Sequence, residues 1–464
     1  MVRIFRHYLS WQVLVLVFAD LIILLGAGYA GRFPSLMGLP SLWMGFDPIL
    51  PKVLAFVGCG WAVLFVGGAY DISPQQGRKE IVVRLMGCFA AVTILLSTIG
   101  FAFPVLRWGR LSLLVGLVFG FGAVTAIRLM SMKLWENPRF RERLLLLGAT
   151  PVADHLIETI FSTGQRGYEV LGYVDDRSEP DVVLNNGLRV LGRVSELGRV
   201  AAEHRVGTIV VTLDERRGVL PLDPVLDCKL SGLRVEDWPS FYERLTRRIG
   251  IENLRPSWLV FSDGFRRTSI TRSVKRAVDI VAALLFLAVG FPLFALIALA
   301  IKLESRGSIF YRQERVGEAG KIFRLLKFRT MYERAEEGSG PIWATANDPR
   351  VTGTGRLLRR ARLDEFPQIV NVLKGDMSFV GPRPERPHFV AMLRERIPYY
   401  PQRLSVKPGI TGWAQIRYSY GSTVEDAAQK LEYDLYYVKN MSIFLDLLIL
   451  FNTVQVVLFG RGAR

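Results

Sequence analysis

Long apolar runs alternate with short polar segments over the N-terminal third of the chain. The runs lie near residues 10–30, 52–70, 82–104 and 110–131. Each approaches the roughly 20 residues that an α-helix needs to cross a bilayer. The pattern therefore predicts a four-helix transmembrane bundle over residues 1–135. Asp20 interrupts the first run and needs a polar partner, because an unpaired charge is costly inside a membrane.

Basic residues are distributed unevenly around these four runs. One side of a four-span arrangement carries Arg3, Arg6, Arg78, Lys79, Lys133, Arg139, Arg141 and Arg143. The other side carries Arg32, Lys52, Arg107 and Arg110. Because cytoplasmic loops are enriched in lysine and arginine, this imbalance places both ends of the four spans in the cytoplasm.

The pattern changes over residues 140–265, where short apolar stretches alternate with amphipathic ones. Strands are expected at 143–150, 170–174, 188–191, 208–211 and 232–235. Strands that alternate with helices favour a parallel, doubly wound, Rossmann-like domain. The first turn lacks a complete G-x-G-x-x-G sequence, so a structural or regulatory role is favoured over nucleotide binding.

A fifth apolar run, residues 277–301, carries Pro292 at its centre. Proline removes a backbone hydrogen bond and bends a helix. Lys275 and Arg276 precede the run and Lys302 follows it, so both ends suit the same basic face of the membrane. We expect a re-entrant helix over residues 275–302, while a proline-kinked complete span stays an alternative. Asp279 lies near the predicted start of this helix and fits an N-terminal capping role.

Beyond Lys302 the chain becomes polar and basic. Four arginines recur at three- and four-residue spacing and form a cationic helix face that suits phosphate or anionic lipid: Arg356, Arg359, Arg360 and Arg362. The last apolar stretch, residues 441–458, contains Asp446 and Asn452, which favours an interfacial helix over another crossing.

The composition agrees with membrane segments joined to soluble domains. Half of the 464 residues are hydrophobic, the mean hydropathy is +0.26, and charged residues still make up 22%. The net charge of +17 indicates anionic partners such as lipid headgroups or nucleotides. Nucleic acid is disfavoured because several spans confine the chain to a bilayer. Three cysteines and four scattered histidines indicate neither a disulfide framework nor a zinc site.

Candidate chemistry is concentrated at two adjacent carboxylates, Asp364 and Glu365. They stand just before Pro367, and residues 366–374 are expected to form a short helix that Gly375 ends. Carboxylates at a helix N-terminus are stabilised as anions, so they could act as a nucleophile or bind Mg²⁺. Simple capping of the helix is the alternative.

Arg383 is the second candidate, because Pro382 and Pro384 restrict the backbone on both sides of it. A guanidinium presented from a stiff loop suits bidentate contact with phosphate. An ion pair with Glu385 or Asp376 is the structural alternative.

These residues belong to seven segments that resemble the bacterial sugar transferase family, in the same order as in that family. The segments are 275–279 (KRAVD), 323–331 (FRLLKFRTM), 347–351 (NDPRV), 363–368 (LDEFPQ), 375–385 (GDMSFVGPRPE), 407–415 (KPGITGWAQ) and 433–440 (YDLYYVKN). Any one of them would be weak evidence, but the set is highly specific. The family comprises membrane-bound polyprenyl-phosphate hexose-1-phosphate transferases of the monotopic phosphoglycosyl transferase superfamily.

The resemblance implies a mostly helical transferase module over residues 272–464. It implies transfer of a hexose 1-phosphate from a UDP-sugar, UDP-glucose before UDP-galactose, to undecaprenyl phosphate, as the first step of exopolysaccharide, capsule or O-antigen synthesis. Asp364 would be the nucleophile, and Glu365 would help to hold Mg²⁺ or move a proton. The expected phosphate- and substrate-binding set is Arg383, Lys327, Arg329, Arg362, Pro382 and Pro384.

The implied donor also constrains the topology. Nucleotide sugars are cytoplasmic, so a complete fifth span would separate the acidic pair from its substrate. We therefore expect the module on the cytoplasmic face of the bacterial inner membrane, in contact with its lipids, with a homodimer as the expected assembly. Trp413 is expected to stack on uracil or to lie in the membrane interface.

Two functions of other classes stay open. One is a membrane scaffold or sensor without catalysis. The other is a nucleotide-sugar epimerase or dehydratase, which needs a nicotinamide cofactor and a Tyr-x-x-x-Lys pair. Tyr433 to Tyr437 contains no lysine at that spacing, which argues against the second.

Overall fold

The fold is described from a computed structural model. It describes residues 2–4, 7–9, 11–31, 49–70, 78–136, 141–162, 167–177, 179, 181–184, 187–213, 220–252, 254–265, 268–332, 350–418, 421 and 423–459. By its internal contacts the chain divides into two units. The first comprises Met1–Val2 and Tyr8–Leu245, and the second comprises Arg3–His7 and Thr246–Arg464. The chain begins with two short strands, β1 (Val2–Ile4) and β2 (His7–Leu9).

Four apolar helices occupy the first part of the first unit. They are α1 (Trp11–Ala30), α2 (Ile49–Val66), α3 (Arg78–Ala102) and α4 (Arg110–Glu136), with a 3₁₀ turn at Pro104–Leu106. Each contains a stretch long and apolar enough to cross a membrane. All four contribute to one hydrophobic core, for example through Leu24, Phe56, Phe89 and Val124. The apolar helices lie where the hydrophobic pattern predicts them.

A buried ion pair joins the first and fourth helices. Arg128 Nη2 lies 2.6 Å from Asp20 Oδ2, and both side chains are almost completely buried. The Arg128 guanidinium also lies over the Tyr70 ring, 5.1 Å from its centre. The partner that Asp20 requires is therefore an arginine far away in sequence. Arg84, near the start of α3, donates to the Gly68 carbonyl at 3.0 Å.

Replacement of Arg128 alone should destabilise the helices strongly. Arg128→Met leaves the Asp20 carboxylate buried without its counter-charge, and breaking such a pair costs about 3 kcal/mol. The double variant Asp20→Leu/Arg128→Met removes both charges and should recover most of that loss. Thermal unfolding in detergent measures both variants. A double variant that is no more stable than Arg128→Met would contradict the pairing.

A parallel five-stranded sheet forms the rest of the first unit. Its strands are β3 (Glu142–Leu147), β4 (Tyr168–Val174), β5 (Val190–Gly192), β6 (Thr208–Val211) and β7 (Arg234–Asp237), in the spatial order β5-β4-β3-β6-β7. The central pairing aligns Leu144 with Thr208. The intervening helices are α5 (Pro151–Ser162), α6 (Leu197–Glu203), α7 (Leu222–Leu230) and α8 (Trp238–Thr246).

The leucine run of β3 explains why this sheet is covered on both faces. Leu144 and Leu146 pack with Val152 of α5, whereas Leu145 and Leu147 pack with Leu197 of α6. Side chains alternate between the two faces of a strand, so a strand that is apolar throughout requires helices on both sides. The strand order is that of a doubly wound sheet.

The main part of the second unit begins at Thr246, earlier than the domain boundary expected from the sequence. The Trp413 indole N–H donates to the Arg247 carbonyl at 2.9 Å. The Ile251 amide donates to the Glu432 carboxylate at 3.2 Å. The described residues between 246 and 265 therefore belong to the same unit as the C-terminal module. This segment contains the short helix α9 (Pro256–Phe261).

Trp413 occupies a different environment from the expected one. Only 1% of its surface is exposed, and its ring stacks on Tyr436. Because the side chain is enclosed and its N–H already donates to the Arg247 carbonyl, the expectation of a uracil contact or of a position in the membrane interface is wrong. The residue is a core anchor for the segment that precedes the module.

Glu432 makes the stability of this packing depend on pH. Burial raises the pKa of Glu432 to about 7 although Arg248 lies nearby. A raised pKa means that the folded state binds the proton more tightly than the unfolded state. Glu432 therefore lowers the free energy of unfolding as the pH rises from the ordinary glutamate pKa of 4.5 to the folded-state pKa of about 7.

Glu432→Gln should therefore stabilise the module above this window and not below it. We expect a gain of about 2 kcal/mol near pH 8, on a scale of about 1.4 kcal/mol per pKa unit. The amide oxygen can still accept from Ile251, so the packing is preserved. Unfolding of both proteins across the pH range measures the difference, and a gain independent of pH would contradict the assignment.

The longest helix of the second unit is α10 (Ser269–Glu304), which the Thr268 hydroxyl caps by accepting from the Thr271 amide. It starts earlier than the predicted residue 275 and continues through Pro292. One face packs on the module through Ala283, Ile297 and Ile301. The opposite apolar face is exposed.

Asp279 consequently lies in the third turn of α10 and does not cap it, so the predicted capping role is wrong. Its buried Oδ1 accepts from the Ser378 hydroxyl and from the Phe379 amide, each at 3.1 Å. Asp279 instead fixes a strand of the module to the helix. The correction follows from the true start of α10, which the polar segment before residue 275 conceals.

Lys275 and Arg276 hold the same region. Lys275 Nζ lies 2.6 Å from Asp446 Oδ2 and donates to the Val380 carbonyl at 3.1 Å. The Arg276 guanidinium donates to the carbonyls of Val372 and Leu373. These contacts agree with the structural role expected for both residues.

The remaining elements of the second unit follow α10 in the chain. They are the antiparallel hairpin β8 (Phe310–Val316) and β9 (Ile322–Phe328), α11 (Gly353–Arg360), α12 (Ile369–Lys374), β10 (Ser378–Val380), α13 (Pro387–Arg396), β11 (Gly409–Thr411), α14 (Trp413–Arg417), α15 (Val424–Asn440) and α16 (Ile443–Phe459). The parallel pair β10 and β11 aligns Ser378 with Gly409. Of the segment 347–351, residues 347–349 lie outside the described residues.

Candidate active site

The acidic pair lies in a 3₁₀ helix, Leu363–Gln368, which leads directly into α12. Arg362 precedes it in the left-handed conformation, with φ of 55°. Gly375 ends α12 with φ of 92°, as the sequence predicts. The helical turn thus starts earlier than expected, and Pro367 falls inside a 3₁₀ segment instead of the first turn of an α-helix. Asp364 and Glu365 are nevertheless first-turn residues.

Phe366 fixes this turn against the long helix. Its ring meets Phe286 at 5.1 Å and Phe294 at 5.7 Å between centres, both edge-on. These two residues lie on either side of Pro292. Because Phe366 directly follows the acidic pair, its packing determines where the carboxylates stand relative to α10.

Glu365 is held by two cations on a single oxygen. Its Oε1 lies 2.8 Å from Lys327 Nζ and 2.8 Å from Arg383 Nη2. Burial alone would raise the pKa of Glu365, but Arg383 and Lys327 hold that pKa well below its usual range. The residue is therefore a fixed anion that joins β9, the 3₁₀ turn and the loop after β10.

Asp364 has the opposite environment. Its side chain is partly buried, and none of the hydrogen bonds between described residues involves its carboxylate. Burial raises the pKa of Asp364; Lys327 offsets part of this rise, whereas the neighbouring Glu365 charge adds to it. Two adjacent carboxylates thus have different properties, one committed to cations and one available to react.

Arg383 and Lys327 both contact the Glu365 carboxylate, so the structure brings together two of the expected phosphate-binding residues. Arg383 pairs with Glu365, not with Glu385 or Asp376, which corrects the alternative considered from the sequence. Pro382 and Pro384 flank it in the loop between β10 and α13.

Arg329 and Arg362 lie in other positions. The Arg329 guanidinium donates to the carbonyls of Ser305 and Arg306, both at 2.9 Å, and is buried. It closes the turn after α10, so the expectation of a phosphate contact is not supported by its geometry. Arg362 is exposed, and no ion pair involving it is found between described residues.

Two arginines that the sequence did not single out also approach the loop. Arg315 Nη1 donates to the Pro384 carbonyl, and Arg403 Nη2 donates to the Arg383 carbonyl, both at 2.9 Å. Neither lies in a motif with a recognisable spacing. Their contacts depend on tertiary proximity alone.

The two carboxylates suit a Mg²⁺ site in which the protein supplies only part of the coordination. No group of three or more His, Cys, Asp or Glu side chains that could hold a metal is present among the described residues. Mg²⁺ commonly binds through one or two carboxylates and is completed by water and substrate phosphates. The unpaired Asp364 carboxylate beside Glu365 fits that requirement, whereas an all-protein cage does not.

The fold and the site together define a membrane-associated protein with a paired acidic and basic site suited to phosphate chemistry. A family model described as bacterial sugar transferase matches residues 270–460. A model described as a CoA-binding domain matches residues 66–218. The chain is 35% identical over 325 residues to the UDP-glucose:undecaprenyl-phosphate glucose-1-phosphate transferase of Escherichia coli (strain K12), covering 69% of this chain and 68% of that protein. The chain belongs to the bacterial sugar transferase family.

Two further relatives differ in the sugar that their names specify. The chain is 41% identical over 237 residues to the UDP-N-acetylgalactosamine-undecaprenyl-phosphate N-acetylgalactosaminephosphotransferase of Aeromonas hydrophila, covering 51% of this chain and 55% of that relative. It is 33% identical over 332 residues to the undecaprenyl-phosphate glucose phosphotransferase of Komagataeibacter xylinus, covering 70% of this chain and 60% of that relative. The chain thus spans somewhat more than half of these two proteins.

Glu365 should contribute far more to stability than its neighbour. Glu365→Gln leaves Lys327 and Arg383 without their shared counter-charge, which should cost about 3 kcal/mol. Asp364→Asn is the matched control, because no ion pair between the described residues involves Asp364, and it should cost less than about 1 kcal/mol. Denaturant unfolding in detergent compares the two. Equal losses would show that the Glu365 pairs do not hold the site together.

Proposed function

We propose that this chain is a phosphoglycosyl transferase that moves a hexose 1-phosphate from a UDP-sugar to undecaprenyl phosphate. The observation that carries the proposal is that two adjacent carboxylates have different environments. Glu365 is fixed as an anion between Lys327 and Arg383, and Asp364 stays uncommitted beside the same cations. Family membership and the names of the relatives support this reaction class.

The chemistry proceeds in two displacements. An Asp364 carboxylate oxygen attacks the β-phosphorus of the UDP-sugar, a new O–P bond forms, and the bond to the α-phosphate oxygen breaks, so UMP leaves. An oxygen of undecaprenyl phosphate then attacks the same phosphorus and releases Asp364. Both substrates are anionic, so splitting the transfer avoids holding the diphosphate of the UDP-sugar and the lipid phosphate in the site at the same time.

The basic residues around the pair suit the charge that this reaction moves. Arg383 and Lys327 stand where the transferred phosphate would lie, and their shared contact with Glu365 keeps them oriented before substrate arrives. Preorganised cations stabilise developing charge without reorganisation during the reaction. Asp364 and the second oxygen of Glu365 would hold Mg²⁺, which when bound would neutralise charge on the diphosphate and the leaving UMP.

The contacts of α10 support a re-entrant course for this helix. Near its start, Arg276 donates to the Leu373 carbonyl at 2.7 Å. At its end, the Glu304 carboxylate accepts from the amides of Gly353 and Thr354 at 2.7 and 2.9 Å. No apolar run of spanning length separates residue 354 from residue 373, which supports a course in which both ends of α10 lie on one side of the bilayer.

This placement brings the site to the lipid phosphate. The exposed apolar face of α10, including Val289 and Phe291, would enter the inner leaflet on either side of Pro292. Phe366 packs on the same helix, so Asp364 would lie at headgroup height on the cytoplasmic face of the inner membrane. Both the soluble nucleotide sugar and the membrane-bound acceptor can reach such a position.

UDP-glucose is the proposed donor, with UDP-N-acetylgalactosamine as the second candidate. The relatives of Escherichia coli and Komagataeibacter xylinus carry glucose in their names, and the relative of Aeromonas hydrophila carries N-acetylgalactosamine. An adduct formed from either donor reports the choice directly, because hexose phosphate and N-acetylhexosamine phosphate differ in mass.

Incubation with each UDP-sugar and Mg²⁺, without lipid acceptor, tests the mechanism. We expect UMP release equal to the amount of enzyme and a sugar-phosphate adduct by intact mass, both lost in Asp364→Asn. Asp376→Asn is the matched control in the same module and should keep the adduct. UMP release that occurs only with undecaprenyl phosphate would indicate direct displacement. No UMP release under any condition would favour the non-catalytic scaffold.

A further inference from the structure

The loop that carries Arg383 is anchored through an unbroken series of backbone carbonyls. The Pro382 carbonyl accepts from the Gly409 amide at 3.0 Å, and the Glu385 carbonyl accepts from the Val316 amide at 3.0 Å. Between them, the Arg383 carbonyl accepts from Arg403 and the Pro384 carbonyl accepts from Arg315, both at 2.9 Å. Two backbone amides thus hold the ends of the loop and two guanidiniums hold its centre.

The prolines explain why the anchoring takes this form. Pro382 and Pro384 have no backbone N–H, so two of the donors that could join this loop to a neighbouring strand are missing. All four carbonyls from Pro382 to Glu385 are used as acceptors. Arginine reaches such carbonyls with a rigid fork of N–H donors, which lysine lacks.

Arg403 is the more deeply placed of the two arginines. It is 7% exposed, and the same Nη2 atom that donates to the Arg383 carbonyl lies 2.8 Å from Asp434 Oδ2. Its Nη1 donates to the buried Tyr400 hydroxyl at 2.8 Å. Asp434 lies on α15 and Arg403 on the 3₁₀ helix Tyr400–Ser405, so the pair joins two elements to the loop.

Stability alone does not account for this arrangement. A buried ion pair gains little over well-packed apolar side chains, because removing two charges from water is costly. An apolar pair could fill the same space but could not donate to the Arg383 carbonyl. Arg383 is thereby fixed at both ends, through its carbonyl by Arg403 and through its guanidinium by Glu365 at 2.8 Å.

We propose that Arg403, held by Asp434, is a positioning residue that sets Arg383 for the transferred phosphate. The inference rests on the proposed function, since it assigns Arg383 to that phosphate. Arg403 does not touch the substrate in this account. It acts through the Arg383 backbone, and Arg315 performs the same task at the next carbonyl.

Arg403→Lys tests the proposal, because it keeps a cation for Asp434 and removes the fork that also reaches the Arg383 carbonyl. We expect the single-turnover rate of UMP release to fall roughly 10- to 100-fold, since misplacing a reacting group by about 1 Å costs a factor of this order. The KM for the UDP-sugar should change less than about threefold. An unchanged rate would overturn the proposal.

A double variant separates positioning from a general loss of structure. If Arg403 acts through Arg383, Arg403→Lys should have little further effect in an Arg383→Met background. Two effects that multiply would show that Arg403 acts elsewhere. Arg244→Lys, at a buried arginine paired with Glu236 in the first unit, is the matched control and should leave the rate unchanged. If Arg403→Lys does not fold, Arg315→Lys carries the same test at the Pro384 carbonyl.

Hydrogen exchange supplies a readout that needs no activity. The amides of Val316 and Gly409 donate to the two ends of the loop, so loosening its centre should speed their exchange about tenfold or more in Arg403→Lys and not in Arg244→Lys. Unchanged exchange would refute the positioning role even if the wild-type protein released no UMP. Faster exchange in Arg403→Lys, together with no adduct in the wild-type protein, would instead refute the transferase proposal alone.

Discussion

The ion pairs of the partly buried Glu365 carboxylate are the interaction on which the candidate site depends. A carboxylate can stay ionised away from water only when cations and hydrogen bonds replace its hydration. Lys327 and Arg383 do so on one oxygen, and they come from a hairpin strand and from a proline-flanked loop. One charge therefore joins three separate segments. Because both cations contact Glu365, the adjacent Asp364 has no ion pair among the described residues.

The long helix α10 provides the frame for that arrangement. Its apolar face packs under the 3₁₀ turn through Phe286 and Phe294, while its polar ends are tied to the module through Arg276 and Glu304. A helix held in this manner can expose its opposite face to lipid without losing its attachment. The same packing determines where the acidic pair lies relative to α10, so in the proposed function membrane contact and chemistry would depend on one helix.

Local pattern predicted much of this molecule. The four N-terminal apolar helices, the parallel sheet built around the leucine run of β3, and the acidic pair followed by a helix that Gly375 ends are all where the sequence places them. Periodicity and capping act over a few residues, which is why they are readable. The roles expected for Asp279 and Trp413 from their neighbours in sequence are wrong, because contacts with the distant residues Ser378 and Arg247 decide them.

The sequence by itself determined which segments are apolar, which turns are stiff and which residue types could react, because hydrophobic pattern and backbone restriction are local properties. Only the tertiary structure decided which cations meet Glu365, that Arg329 closes a turn, and that Arg403 reaches the Arg383 carbonyl. Those outcomes depend on charges brought together across long stretches of chain. The fold decides which charged groups come into contact, and the spacing of residues along the chain does not specify these contacts.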